Sequence, residues 1–73
     1  MKKKLTIDGM SCMHCVNHVY QALMNISEVT SVNIDLKTQI AFLESNKSID
    51  NDVIKSAISN VGYKVIEIEK IYV

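Results

Sequence analysis

Two segments of helical period, each set between segments of alternating period, constrain this chain more than any other feature. Leu5-Thr6-Ile7 alternates apolar with polar residues and predicts a strand near 2–8. Val16, Val19, Tyr20, Leu23 and Ile26 then recur at the spacing of one helix face, which predicts a helix over about 13–25. Val32, Ile34 and Leu36 alternate with Asn33 and Asp35 as a second strand, and the apolar run from Ile40 to Glu44 is short enough for a third. Between them Lys37-Thr38-Gln39 reads as a turn, although it has no glycine. After the polar loop 45–51, Ile54, Ala57, Ile58 and Val61 repeat the helical stripe over about 51–60, and Val65, Ile66 and Ile68 predict a last strand near 63–70.

The order is therefore βαββαβ. Right-handed crossovers put both helices on one face of one sheet, which predicts an α+β, ferredoxin-like plait with a four-stranded antiparallel sheet. The 73 residues suffice for a single domain, 1–73, and not for two. Ser11 is placed to cap the first helix, Ser48 or Asp50 the second, and Gly62 to end the second. The expected core is Leu5, Ile7, Val19, Leu23, Val32, Ile34, Ile54, Ala57 and Ile58. For the third strand two alternatives stay open: Ala41 with Leu43, or Ile40 with Phe42, faces the helices.

Charge narrows the function. Eight lysines balance eight acids, and a chain of zero net charge lacks the basic excess of a nucleic-acid binder. Lys2-Lys3-Lys4 reads as a solvated end or strand-edge guard, and with Lys64 it is a candidate local patch for steering a partner. The charged start leads into no apolar targeting segment, and no stretch approaches the roughly 20 apolar residues of a membrane span. The expectation is a cytosolic protein, without membrane insertion, in which two close cysteines serve as metal ligands or a redox pair rather than a disulfide framework.

Gly9-Met10-Ser11-Cys12-Met13-His14-Cys15 lies in the first strand-to-helix connection. A C-x-x-C spanning a loop and the first helical turn lets both sulfurs converge, and unpaired amides at the helix start favour thiolate over thiol. Two thiolates are soft ligands and select Cu(I) and related ions. A structural zinc site normally takes four protein ligands, and no second C-x-x-C is present.

On this βαββαβ pattern the segment resembles the heavy-metal-associated domains, which include bacterial copper chaperones and the N-terminal domains of copper-transporting P-type ATPases. The resemblance covers essentially the whole chain, ending in Gly62-Tyr63 before the last strand. It implies that Cys12 and Cys15 are the metal ligands, that Met10 packs beneath the loop, and that Tyr63 approaches the site from the loop after the second helix. Relatives selective for zinc and cadmium often carry an acidic residue before the first cysteine; Ser11 stands there, which favours copper.

Plainer readings stand beside these. Met10 fills the core rather than donating its thioether, Met13 is an exposed loop tip, and His18 is a solvated helix residue. His14 is either plain surface or a group that tunes the thiolates and offers a third ligand in a dimer or transfer complex. Tyr63 is a half-buried aromatic that can also donate a hydrogen bond. No nucleophile with base and orienting group can be assembled, so no enzyme is expected. The expected function is that of a Cu(I) chaperone, with Ag(I), Hg(II), Zn(II) and Cd(II) as alternative ions. It would deliver its ion to a P-type ATPase domain, and be monomeric with a metal-bridged dimer open. The rivals are a metal-binding domain of a longer transport ATPase and a thiol–disulfide oxidoreductase.

Overall fold

The computed structural model describes residues 1–71, so the last two residues of the expected domain 1–73 lie outside the described residues. The elements are β1 (Lys2–Asp8), α1 (Met13–Met24), β2 (Val29–Asp35), β3 (Ile40–Ser45), α2 (Asn51–Asn60) and β4 (Lys64–Ile71). They form one antiparallel sheet in the order β2-β3-β1-β4. The helices pack on each other, α1 over β2 and α2 over β4. This is the plait expected from the periodicity.

The two central strands carry the core. Leu5 pairs with Ala41, so the inward face of β1 dictates that of β3, and Ala41 and Leu43 are fully buried while Phe42 is 44% exposed. Val19 and Leu23 from α1 and Ile54 and Ile58 from α2 close over them without residual exposure. Each such side chain contributes about 1.5–3 kcal/mol by leaving water. Val32, Ile34 and Ala57, expected in the core, are only half-buried; the first two sit on an edge strand and pack against the core. Leu36, expected in the second strand, falls in the turn after β2. Val16, Val29 and Ile49 join the core instead, and Met10 fills it beneath the loop as expected.

Lys3 departs from the expectation of a solvated terminus. It lies on the inward face of β1 with Leu5 and Ile7 and is 8% exposed. Its Nζ donates to the Ile49 carbonyl at 2.8 Å and to Asn51 Oδ1. Desolvation, then Lys70, push its pKa down, and Asp50 pulls it back up. Lys2 pairs with Ile71 and Glu44, whereas Asp8, at the other end of β1, pairs with Lys64. The steering patch proposed from sequence is therefore split: Lys64 lies at the opposite end of the seven-residue β1 from Lys2, roughly 20 Å along the strand, and Lys3 is turned inward. Lys2 forms a 3.0 Å ion pair with Glu44.

The β1–β4 register shifts between Thr6 and Ile7, where Thr6 faces Glu67 but Ile7 faces Val65. The extra residue, Ile66, is a bulge. It lets Val65 and Ile68 both point toward the helices and leaves Ile66 61% exposed.

Candidate metal centre

Chain geometry builds the site from both ends. Gly9 follows β1 with φ +100°, and a Cβ there would stand 3.3 Å from Tyr63 Cδ1, so glycine meets both a left-handed turn and a close aromatic approach. Met10 is buried and anchors the loop to the core. Cys12 is extended, φ −158° and ψ 174°, and its carbonyl accepts from the Val16 N–H at 3.2 Å to open α1. Cys12, and not Ser11, is thus the N-cap residue, and no side chain caps the helix. The Ser11 hydroxyl is spent elsewhere, 3.7 Å from Cys15 Sγ.

Both cysteines are free; Cys12 is exposed, Cys15 half-buried, and their sulfurs are 3.6 Å apart. Cys15 is lowered to about 6 by hydrogen bonding, first from the Tyr63 hydroxyl, then from the Ser11 backbone and hydroxyl and from Cys12, against a smaller opposing effect of desolvation. The same contact raises Tyr63, whose proton is held toward the thiolate. No acidic residue occupies the first turn of α1 to oppose the negative charge.

Tyr63 reaches this point because of how α2 ends. Gly62, φ +91°, donates to the Ser59 carbonyl at 3.0 Å, and Tyr63 N–H donates to the Ile58 carbonyl at 3.2 Å. This paired arrangement is a Schellman cap, which reverses the chain and returns Tyr63 to the Gly9 turn.

His14 and His18 are both exposed on α1. His14 lines a surface groove of about 530 Å³ between α1 and β2, together with Tyr20, Ile34 and Met13, the last 68% exposed. Among the described residues no three His, Cys, Asp or Glu side chains gather where they could hold an ion. The donor set that can hold a metal is accordingly two thiolates on an accessible loop, a soft and low-coordinate set. Sequence reasoning missed Gln39, whose side chain accepts from the Met10 N–H at 3.0 Å. Its signal was a turn that needs a left-handed residue and offers no glycine.

A C-x-x-C pair placed where β1 hands over to α1 in a βαββαβ plait defines a class of small α+β domain with two neighbouring thiols at its surface. The sequence model of the heavy-metal-associated domain matches residues 4–64, and the chain belongs to that family. It is 36% identical over 66 residues to the copper chaperone CopZ of Staphylococcus haemolyticus, spanning 89% of this chain and 97% of that one. It is 32% identical over 68 residues to a probable copper-exporting P-type ATPase of Archaeoglobus fulgidus, spanning 92% of this chain but only 8% of the ATPase. Among solved structures, a CopZ metallochaperone superposes with a TM-score of 0.85 at 34% identity, over 90% of this chain and all of that one. A copper-binding domain from a P-type ATPase gives 0.81 at 27% identity, over 96% and 100%.

Proposed function

We propose that this chain is a cytosolic carrier of Cu(I), with Cys12 and Cys15 as its ligands, and that it hands the ion to a metal-binding domain of a P-type copper ATPase. The observation that carries the reading is the sulfur pair, 3.6 Å apart on a loop where one cysteine is exposed. Two thiolates suffice for Cu(I) and fall short of the four protein ligands of structural zinc. The relative named as a copper chaperone supports copper as the metal.

Transfer would proceed by exchange of ligands. A partner thiolate attacks the under-coordinated ion, a third Cu–S bond forms, and the bond to one cysteine of this chain breaks. The departing sulfur takes up a proton or stays as thiolate; the copper is neither oxidised nor reduced. Because donor and acceptor both offer paired thiolates, the exchange is nearly isoenergetic. No catalysis is ascribed to the chain. The match to an ATPase relative supports a second reading, in which the same site serves as one domain of a longer transporter.

The test is metal analysis of protein purified anaerobically from cells, followed by mixing the Cu(I)-loaded protein with an apo ATPase domain. One copper per chain, and transfer faster than release to a chelator, support the carrier. Protein that is metal-free and has an oxidising reduction potential overturns it in favour of a thiol–disulfide oxidoreductase.

A further inference from the structure

Gln39 occupies the left-handed region with φ 61°, in the β2–β3 turn, well away in sequence from the cysteines. Residues with a Cβ enter this region rarely, and glutamine lacks the short side chain that lets asparagine and aspartate settle there. Three hydrogen bonds accompany the conformation. The Gln39 carbonyl accepts from the Ile7 N–H at 2.9 Å, extending the β1–β3 pairing past Thr6. Its Nε2 donates to the Leu36 carbonyl at 2.8 Å, which locks the side chain across its own turn. Its Oε1 is thereby aimed at the Met10 N–H, 3.0 Å away. Met10 belongs to neither β1 nor α1, so that amide has no ladder or helix partner to fall back on.

The two sulfurs are not equally constrained. Cys15 rides on α1 and is placed by the packing of that helix, whose Val16 and Val19 are buried. Cys12 precedes the helix and hangs between its first turn and Met10, next to the permissive Gly9. Fixing the Met10 amide therefore fixes the span that carries Cys12.

We infer that Gln39 is a positioning residue for the metal loop: its side-chain amide ties the β2–β3 turn to the Met10 backbone and holds Cys12 at chelating distance from Cys15. The inference deepens the proposed copper-carrying role and rests on it for its metal-binding consequence. The strained backbone serves to aim the amide.

Two substitutions separate this role from a structural one. Gln39→Gly removes the side chain and relieves the left-handed backbone; Gln39→Asn keeps an amide and tolerates the turn but is one methylene short. In both, relief of the left-handed backbone offsets most of the lost hydrogen bonding, and the melting temperature stays close to the wild-type value. Exchange of the Met10 amide in the apo protein, followed by NMR, becomes faster by roughly tenfold, the loss of one hydrogen bond of ordinary strength. Cu(I) affinity in a chelator competition falls by roughly threefold to tenfold for the same reason. Wild-type exchange at Met10 in both variants would overturn the tether, and accelerated exchange with unchanged Cu(I) affinity would overturn its role in holding Cys12. A wild-type protein that binds no Cu(I) would instead remove the functional reading, and Met10 exchange alone would then decide the tether.

Discussion

The ring of Tyr63 lies against Gly9, leaving a Cβ at position 9 only 3.3 Å from Cδ1, while the hydroxyl of the same side chain is the foremost of the hydrogen-bonding groups that lower the Cys15 thiol pKa to about 6. One aromatic thus wedges the loop and acidifies a sulfur. Tyr63→Phe keeps the wedge and removes the donor. The Cys15 pKa then rises toward the ordinary thiol value with little change in melting temperature, measured by thiolate absorbance or alkylation rate against pH.

Gly9→Ala tests the other half. The added Cβ meets both the Tyr63 ring and a φ of +100°. It destabilises the fold by about 1–2 kcal/mol and raises the Cys15 pKa by displacing Tyr63. Denaturant unfolding and thiol titration read the two effects separately.

The acidity of Cys15 also makes apo stability depend on pH. Its folded pKa, about 6, is below the value of an unfolded thiol, so the unfolded state binds more protons between the two. The contribution is complete above the unfolded pKa and is lost as pH falls through about 6. Apo melting temperatures therefore climb from pH 6 toward 9, and Cys15→Ser flattens that part of the slope. Cu(I) affinity weakens over the same acid range, because protons compete for the sulfur.

Cys12→Ser and Cys15→Ser should each abolish high-affinity Cu(I) binding. His14→Ala and His18→Ala should leave it within a few-fold, since both imidazoles are exposed on α1 and belong to no cluster of three His, Cys, Asp or Glu side chains among the described residues. A chelator competition ranks the four variants.

Removal of metal leaves the fold in place. The core of Leu5, Ile7, Val19, Leu23, Leu43, Ile54 and Ile58 closes without either sulfur. Apo protein should give dispersed amide spectra, and Leu43→Ala should cost about 2–5 kcal/mol by the cavity it leaves. Lys3→Ala should cost about 1–3 kcal/mol by stranding the Ile49 carbonyl.

Periodicity made the element order and the cysteine loop legible before any coordinates. Its failures have physical causes. Ala41 and Leu43 were indistinguishable from Ile40 and Phe42 because an apolar run carries no phase; pairing with Leu5 supplies it. Lys3 reads as solvent-facing in a triplet of lysines, but alternation along β1 turns it inward, and two oxygens brought up by the start of α2 satisfy its ammonium. Ser11 suits a cap by type, yet the chain enters the helix one residue later, at an extended Cys12. Gln39 is marked only by its glycine-free turn, and its tie to a loop 29 residues away leaves no trace in the local pattern.

The bulge at Ile66 has a bearing on how crowded solutions of this protein behave. β4 ends the sheet, and an edge strand of regular spacing would invite a second molecule to add its own strand and seed fibrous assembly. With one residue out of step opposite Thr6, the spacing of β4 is broken in its middle, and Lys64, Glu67, Glu69 and Lys70 surround the break. An incoming strand finds no unbroken row to copy along β4, so this rim can carry a largely bare isoleucine without offering a regular template.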